Sequence, residues 1–75
     1  MFAIDFVLKS GKKIEGLIWR WNPTSGSMEV MDETNGKISK YNLTDVSEGL
    51  VYSDRIRKIS KTEDIFEKAK ADGWV

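Results

Sequence analysis

The chain contains neither cysteine nor histidine, and it has a single proline and no long apolar run. Without cysteine there is no disulfide and no thiolate metal site to supplement the core, and the omission fits a reducing compartment. The missing histidine removes the commonest general base and the commonest metal ligand, and the missing cysteine removes the thiolate nucleophile. The first residues, Met1-Phe2-Ala3-Ile4-Asp5, enter strand-like alternation with no basic leader, so a cytoplasmic protein without membrane contact is expected. An excess of one charge is also missing: 12 lysines and arginines balance 12 aspartates and glutamates. Phosphate contacts dominate nucleic-acid affinity, so neutrality removes the global argument for a nucleic-acid partner and leaves only a local basic face.

What is present is a chain of 75 residues with three Trp, three Phe and two Tyr. That length specifies one domain near the lower limit for an independent core, and the aromatics must supply much of the burial. From Phe2 to Leu8 apolar residues alternate, with Phe2, Ile4, Phe6 and Leu8 on one face. Lys9-Ser10-Gly11 suits a type I turn closed by a glycine bulge. Pairing Leu8 with Lys12 then sets Phe6 opposite Ile14, Ile4 opposite Gly16 and Phe2 opposite Ile18. A two-residue turn would instead set Phe6 opposite Glu15, so the bulged turn fits better. Gly16 leaves room where Ile4 would crowd a side chain and allows a kink. Beyond it, Leu17, Trp19 and Trp21 fall on one face of the strand and Ile18 and Arg20 on the other.

Residues 22–27 read as an exposed loop. Met28 to Asp32 and Ile38 to Leu43 form a second hairpin around Asn35-Gly36, the strongest short turn signal in the chain. Pairing Thr34 with Lys37 places Val30 opposite Tyr41, Met28 opposite Leu43, Asp32 opposite Ser39 and Met31 opposite Lys40. Residues 44–49 make a connection or a short helical turn. Leu50 to Ile59 follows, with Val51, Ile56 and Ile59 expected to be buried and Asp54-Arg55 expected to turn into the last strand. From Ser60 the period changes. Ser60-Lys61-Thr62-Glu63 matches a helix capping box, with Thr62 as an alternative N-cap. Ile65, Phe66 and Ala69 form an apolar stripe, Asp64 and Lys68 are spaced to pair, and Gly73 stands where a helix ends, with Trp74 folding back.

The stretch Phe6-Val7-Leu8-Lys9-Ser10-Gly11-Lys12-Lys13-Ile14-Glu15-Gly16-Leu17-Ile18 resembles the first motif of Sm and Sm-like proteins. Trp21-Asn22 stands where that family has an aromatic-aspartate pair, and Met28-Glu29-Val30 where it has methionine-asparagine-apolar. Leu50 to Ile59 looks like the second motif. The resemblance implies a five-stranded, strongly bent antiparallel sheet forming a small SH3-like (Sm-like) barrel over residues 1–59, to which the change of period after Ser60 adds a C-terminal helix over 61–73. The positions with which the family reads a base carry Glu29, Tyr52 and Ser53 here. The helix also stands at the opposite end of the barrel sequence, and the loop before Met28 is longer. The likeness is therefore one of shape more than of binding chemistry, and other SH3-like barrels share the strand, turn and glycine pattern.

Trp19-Arg20-Trp21 is the most suggestive cluster. Its indoles would stack on bases or anchor a protein interface, or else form the surface on which the C-terminal helix packs. Arg55, Arg57, Lys58 and Lys61 make the densest basic run, flanked by Asp54 and Glu63. Paired acids such as Asp32-Glu33 and Glu63-Asp64 read as a hairpin end and a helix start in preference to a magnesium site. The expectation is a non-catalytic binding module with no cofactor and no metal. The leading form is a protein-interaction or small inhibitor and adaptor domain using a barrel edge and exposed aromatics. The alternative is RNA or single-stranded DNA binding, and a carboxylate-metal enzyme is a remote third. The interaction candidates are Trp19, Arg20, Trp21, Tyr41, Tyr52, Arg55 and Arg57. Open edge strands add homo-oligomerisation as a further option. Compact size without a leader is compatible with a phage or mobile-element origin.

Overall fold

The computed structural model describes residues 2–73. Six antiparallel strands make one sheet: β1 (Ala3–Leu8), β2 (Lys13–Asn22), β3 (Ser27–Asp32), β4 (Ile38–Asn42), β5 (Val46–Tyr52) and β6 (Thr62–Asp64), in the order β4-β3-β2-β1-β5-β6. One helix, α1 (Ile65–Ala71), follows β6 directly, and single 3-10 turns occupy Leu43–Asp45 and Arg57–Ile59.

The first hairpin has the register its apolar pattern demands: Phe6 faces Ile14 and Ile4 faces Gly16. Its turn is the bulged one, closed by the Leu8 amide on the Lys12 carbonyl at 2.9 Å, with Gly11 at φ +93°. A side chain at position 16 would meet Val30 Cγ1 at 2.5 Å and press still closer on the Met31 carbonyl oxygen, so β3, not Ile4, is what requires the glycine.

The strands curl around Ile4, Phe6, Ile14, Ile18, Met28, Val30, Val46 and Val51. Phe6 of β1 and Tyr41 of β4 meet edge to face with ring centroids 5.1 Å apart. Three strand spacings separate those strands, about 14 Å in a flat sheet, so the contact requires strong bending. The expected bend is present, but the sheet does not close: β4 and β6 stand at its two edges. The strand count is six and not five, because Thr62–Asp64, expected to begin the helix, pairs with Leu50–Tyr52.

That pairing moves the helix start. Asp64 caps it, accepting from the amides of Phe66 at 3.0 Å and Glu67 at 3.2 Å, in place of the expected capping box at Ser60 or Thr62. With Asp64 engaged there, Lys68 pairs with Asp72 at 3.3 Å instead. Ile65 and Ala69 are buried in the core, but Phe66 faces outward. Gly73 follows the C-cap Asp72 with positive φ, as expected of a helix end. Trp74 lies outside the described residues.

Four other expectations are corrected. Residues 46–49, expected in a connection or short helical turn, belong to β5, and Val46 is buried in the core. Ile56 and Ile59 are exposed, 50% and 74%, because the chain leaves the sheet after Tyr52 and reaches β6 through a bend and a 3-10 turn. Ser27 is buried and opens β3, its Oγ 2.6 Å from Ser25 Oγ, so the loop is shorter than its composition suggests. The second hairpin is displaced by two residues: Met28 faces Tyr41, Val30 faces Ser39 and Met31 faces Ile38. Asp32 causes this. Its carboxylate accepts from the Thr34 amide at 2.8 Å and its carbonyl from the Gly36 amide at 2.7 Å, which builds a four-residue turn. Only Gly36 there has positive φ, whereas a two-residue type I′ turn would need it at Asn35 as well. A slip of two keeps the same side chains inside, so the core is unaffected. Among the described residues, no helix is long and apolar enough to cross a membrane.

Candidate functional site

The outer face of the sheet divides into two halves with opposite character. On the β1 and β5 side, Arg57 reaches over the strands from its 3-10 turn. Its guanidinium donates to Asp5 Oδ1 at 2.9 and 3.2 Å, to Glu33 Oε1 at 2.7 Å, and to the Ile4 and Gly16 carbonyls at 3.3 Å each. It also lies 5.3 Å from the centroid of the Tyr52 ring, whose hydroxyl donates to Asp5 Oδ2 at 2.5 Å. The hydrogen bond to Asp5 is the main reason the Tyr52 phenol is held above its ordinary pKa, with burial and the Asp5 charge adding and Arg57 opposing. Burial alone disfavours the Arg57 charge, but its bonds to Glu33 and Asp5 outweigh that and raise its pKa. This cluster is closed upon itself: the guanidinium is shared between the two carboxylates, and the phenol is held by one of them.

The β2–β4 side is different, and a β-bulge sets it up. Ile18 pairs with Val30 but Arg20 pairs with Glu29, so Trp19 is the extra residue. One extra residue reverses the alternation. Trp21 therefore turns to the core side and Trp19 stays outside, separating the two indoles that strict alternation places on one face. Trp21 is half-buried, edge-on to Phe2 with centroids 6.2 Å apart, and its Nε1 donates to Asp72 Oδ2 at 2.7 Å. The packing reading thus holds for Trp21, under α1. Trp19 is 48% exposed.

Next to Trp19, Leu17 faces Met31 and Met31 faces Ile38, an apolar row crossing three strands on the solvent side. Leu17 and Met31 are half-buried, and Ile38, on the edge strand, is 46% exposed. A second row runs beside it: Arg20 faces Glu29, and Glu29 faces Lys40. Arg20 Nε lies 3.5 Å from Glu29 Oε2.

The seven candidates named from sequence are thus dispersed. Tyr52 and Arg57 belong to the closed cluster, Tyr41 and Trp21 pack against the core, and Arg55 is exposed on the bend after β5. Trp19 and Arg20 alone flank the apolar row. Leu17, Met31 and Ile38 were the residues sequence reasoning missed as a group, since the expected register set Met31 opposite Lys40 and hid the row. Among the described residues, no group of three or more acidic side chains is arranged to hold a metal ion. No known family, curated protein or solved structure matches this chain.

Proposed function

We propose that this chain is a non-catalytic protein-interaction module of the adaptor or small-inhibitor type, working through the outer face of β2–β4 and the free edge of β4. The observation that carries this reading is the solvent-side row Leu17–Met31–Ile38, flanked by Trp19 and ending at an edge strand whose outer side has no neighbouring strand among the described residues. A chain this small needs its apolar side chains for the core, and a row kept outside in register across three strands is a surface suited to a partner. The order β4-β3-β2-β1-β5, with a three-residue turn joining β4 to β5, supports reading the curled sheet as a small SH3-like barrel of the Sm-like kind. Nucleic-acid binding is less well supported, because Arg57, Tyr52 and Tyr41 are engaged within the protein.

Affinity capture on the immobilised protein tests this reading against the Trp19→Ser, Ile38→Ser double variant and against Arg55→Ala. A stoichiometric protein partner held by wild type and by Arg55→Ala, and lost from the double variant, is the expected result. Salt-dependent retention on a single-stranded oligonucleotide column, weakened by Arg20→Glu and Arg55→Glu, would overturn it.

A further inference from the structure

The free edge specifies what its partner must look like. The Asp32 amide donates to the Lys37 carbonyl at 2.8 Å, which fixes the hydrogen-bonding phase of the β3–β4 pair. By antiparallel alternation the main-chain groups of Ser39 and Tyr41 point to β3, whereas the amides and carbonyls of Ile38 and Lys40 point away from the sheet. Among the described residues, no hydrogen bond to the main chain of Ile38 or Lys40 is formed. Edge strands are commonly protected by brevity, proline, bulges or charge. β6 is short and acidic, with three residues including Glu63 and Asp64. β4 has five residues in unbroken register, with no proline and no bulge, and Lys40 is its one charge.

We propose that β4 accepts an extended segment of the partner protein as an added antiparallel strand, with a carboxylate side chain opposite Lys40 and an apolar one opposite Ile38. This rests on the interaction-module reading and narrows it to a binding mode and a chemistry. Each row on the outer face dictates its own continuation. The apolar row Leu17–Met31–Ile38 ends on an exposed isoleucine, so a further apolar side chain extends it. The charged row alternates in sign from Arg20 through Glu29 to Lys40, and Glu29 is already paired with Arg20 at 3.5 Å. Lys40 has no ion-pair partner among the described residues, and Lys37 adds a second positive charge next to the strand with no acid between Gly36 and Leu43. In an antiparallel strand the carboxylate comes two residues before the apolar side chain.

Short capped peptides of alternating threonine, with Glu-Thr-Val or Lys-Thr-Val at the centre, are the probes, titrated into isotope-labelled protein and followed by amide shifts and exchange. The Glu peptide should bind more tightly, and the Ile38 and Lys40 amides should shift and gain protection. In Lys40→Glu the preference should invert, the ratio of the two affinities changing by about tenfold. Three outcomes overturn the inference: no shift with either peptide at millimolar concentration, a preference unmoved by Lys40→Glu, or binding that leaves the β4 amides unprotected. Shifts at Trp19 and Met31 in that last case would leave the broader reading standing. Conversely, peptide binding at β4 together with a captured partner that survives loss of Trp19 and Ile38 would show that the partner does not use this edge as proposed, and would overturn the inference as well as the outer-face row. Concentration-dependent protection of Ile38 and Lys40 without peptide would assign the edge to a second copy of the chain and also overturn the inference.

Discussion

The two halves of the outer face have opposite character: one satisfies its polar groups within the chain and the other leaves apolar side chains toward solvent. Around Arg57, two carboxylates, two carbonyls and an aromatic ring meet one guanidinium, and the guanidinium is fully engaged. Around Met31, the same sheet leaves an apolar row, an exposed indole and, among the described residues, an unpaired main-chain edge. An arginine or tyrosine that stands out in the sequence is thus a poor guide to a working surface when its partners lie fifty residues away. The side chains that remain unanswered after folding are the better guide.

Substitutions should separate the halves by what they damage. Arg57→Ala leaves Asp5 and Glu33 without their counter-charge and takes a second donor from two carbonyls already paired in the sheet, so it should lower stability by about 2–3 kcal/mol. In a chain of this size that is a fall in melting temperature of roughly 10–20 °C. If calorimetry shows the variant melting with wild type, the cluster is not a structural clamp and the contrast collapses. Gly16→Ala should cost about 1–3 kcal/mol, because the added methyl meets backbone of β3, which cannot turn aside as a side chain would. A urea midpoint equal to wild type would mean that β2 and β3 do not approach this closely.

Tyr52→Phe should cost about 1 kcal/mol near neutral pH, and its pH dependence is the sharper measurement. Because folding raises the Tyr52 pKa, its contribution is present in full below about pH 10, the unfolded value, and is lost as pH climbs through the folded one. Urea midpoints of wild type should therefore fall more steeply above that pH than those of Tyr52→Phe, and parallel curves would remove Tyr52 from the cluster. Smallest in stability, and largest in consequence for binding, is Trp19→Ser, which should shift the midpoint by less than about 0.5 kcal/mol. A loss of several kcal/mol would show that Trp19 belongs to the core.

The first hairpin was legible to the residue because turn chemistry and apolar pattern agreed there, and only one register satisfied both. The second was not, although Asn35-Gly36 is a strong signal, because the Asp32 side chain recruits the Thr34 amide and enlarges the turn. That slip of two residues, harmless to the core, concealed the alignment of Met31 with Ile38 and with it the candidate surface. The bulge at Trp19 was invisible for a related reason: it is set by how β2 and β3 pair, not by any local composition. β6 carries no apolar alternation at all, since it joins the sheet through its backbone, and its three residues mimicked a helix start. Exposure of Ile56 and Ile59 followed from the same departure of the chain from the sheet after Tyr52.

Amide hydrogen exchange on the free, labelled protein shows whether the outer side of β4 is open. With β4 open on its outer side, the Ile38 and Lys40 amides should exchange far faster than those of Ser39 and Tyr41, which alternate with them along the strand. Equal protection along the strand, independent of protein concentration, would show that the edge is covered within the chain and is not the working surface.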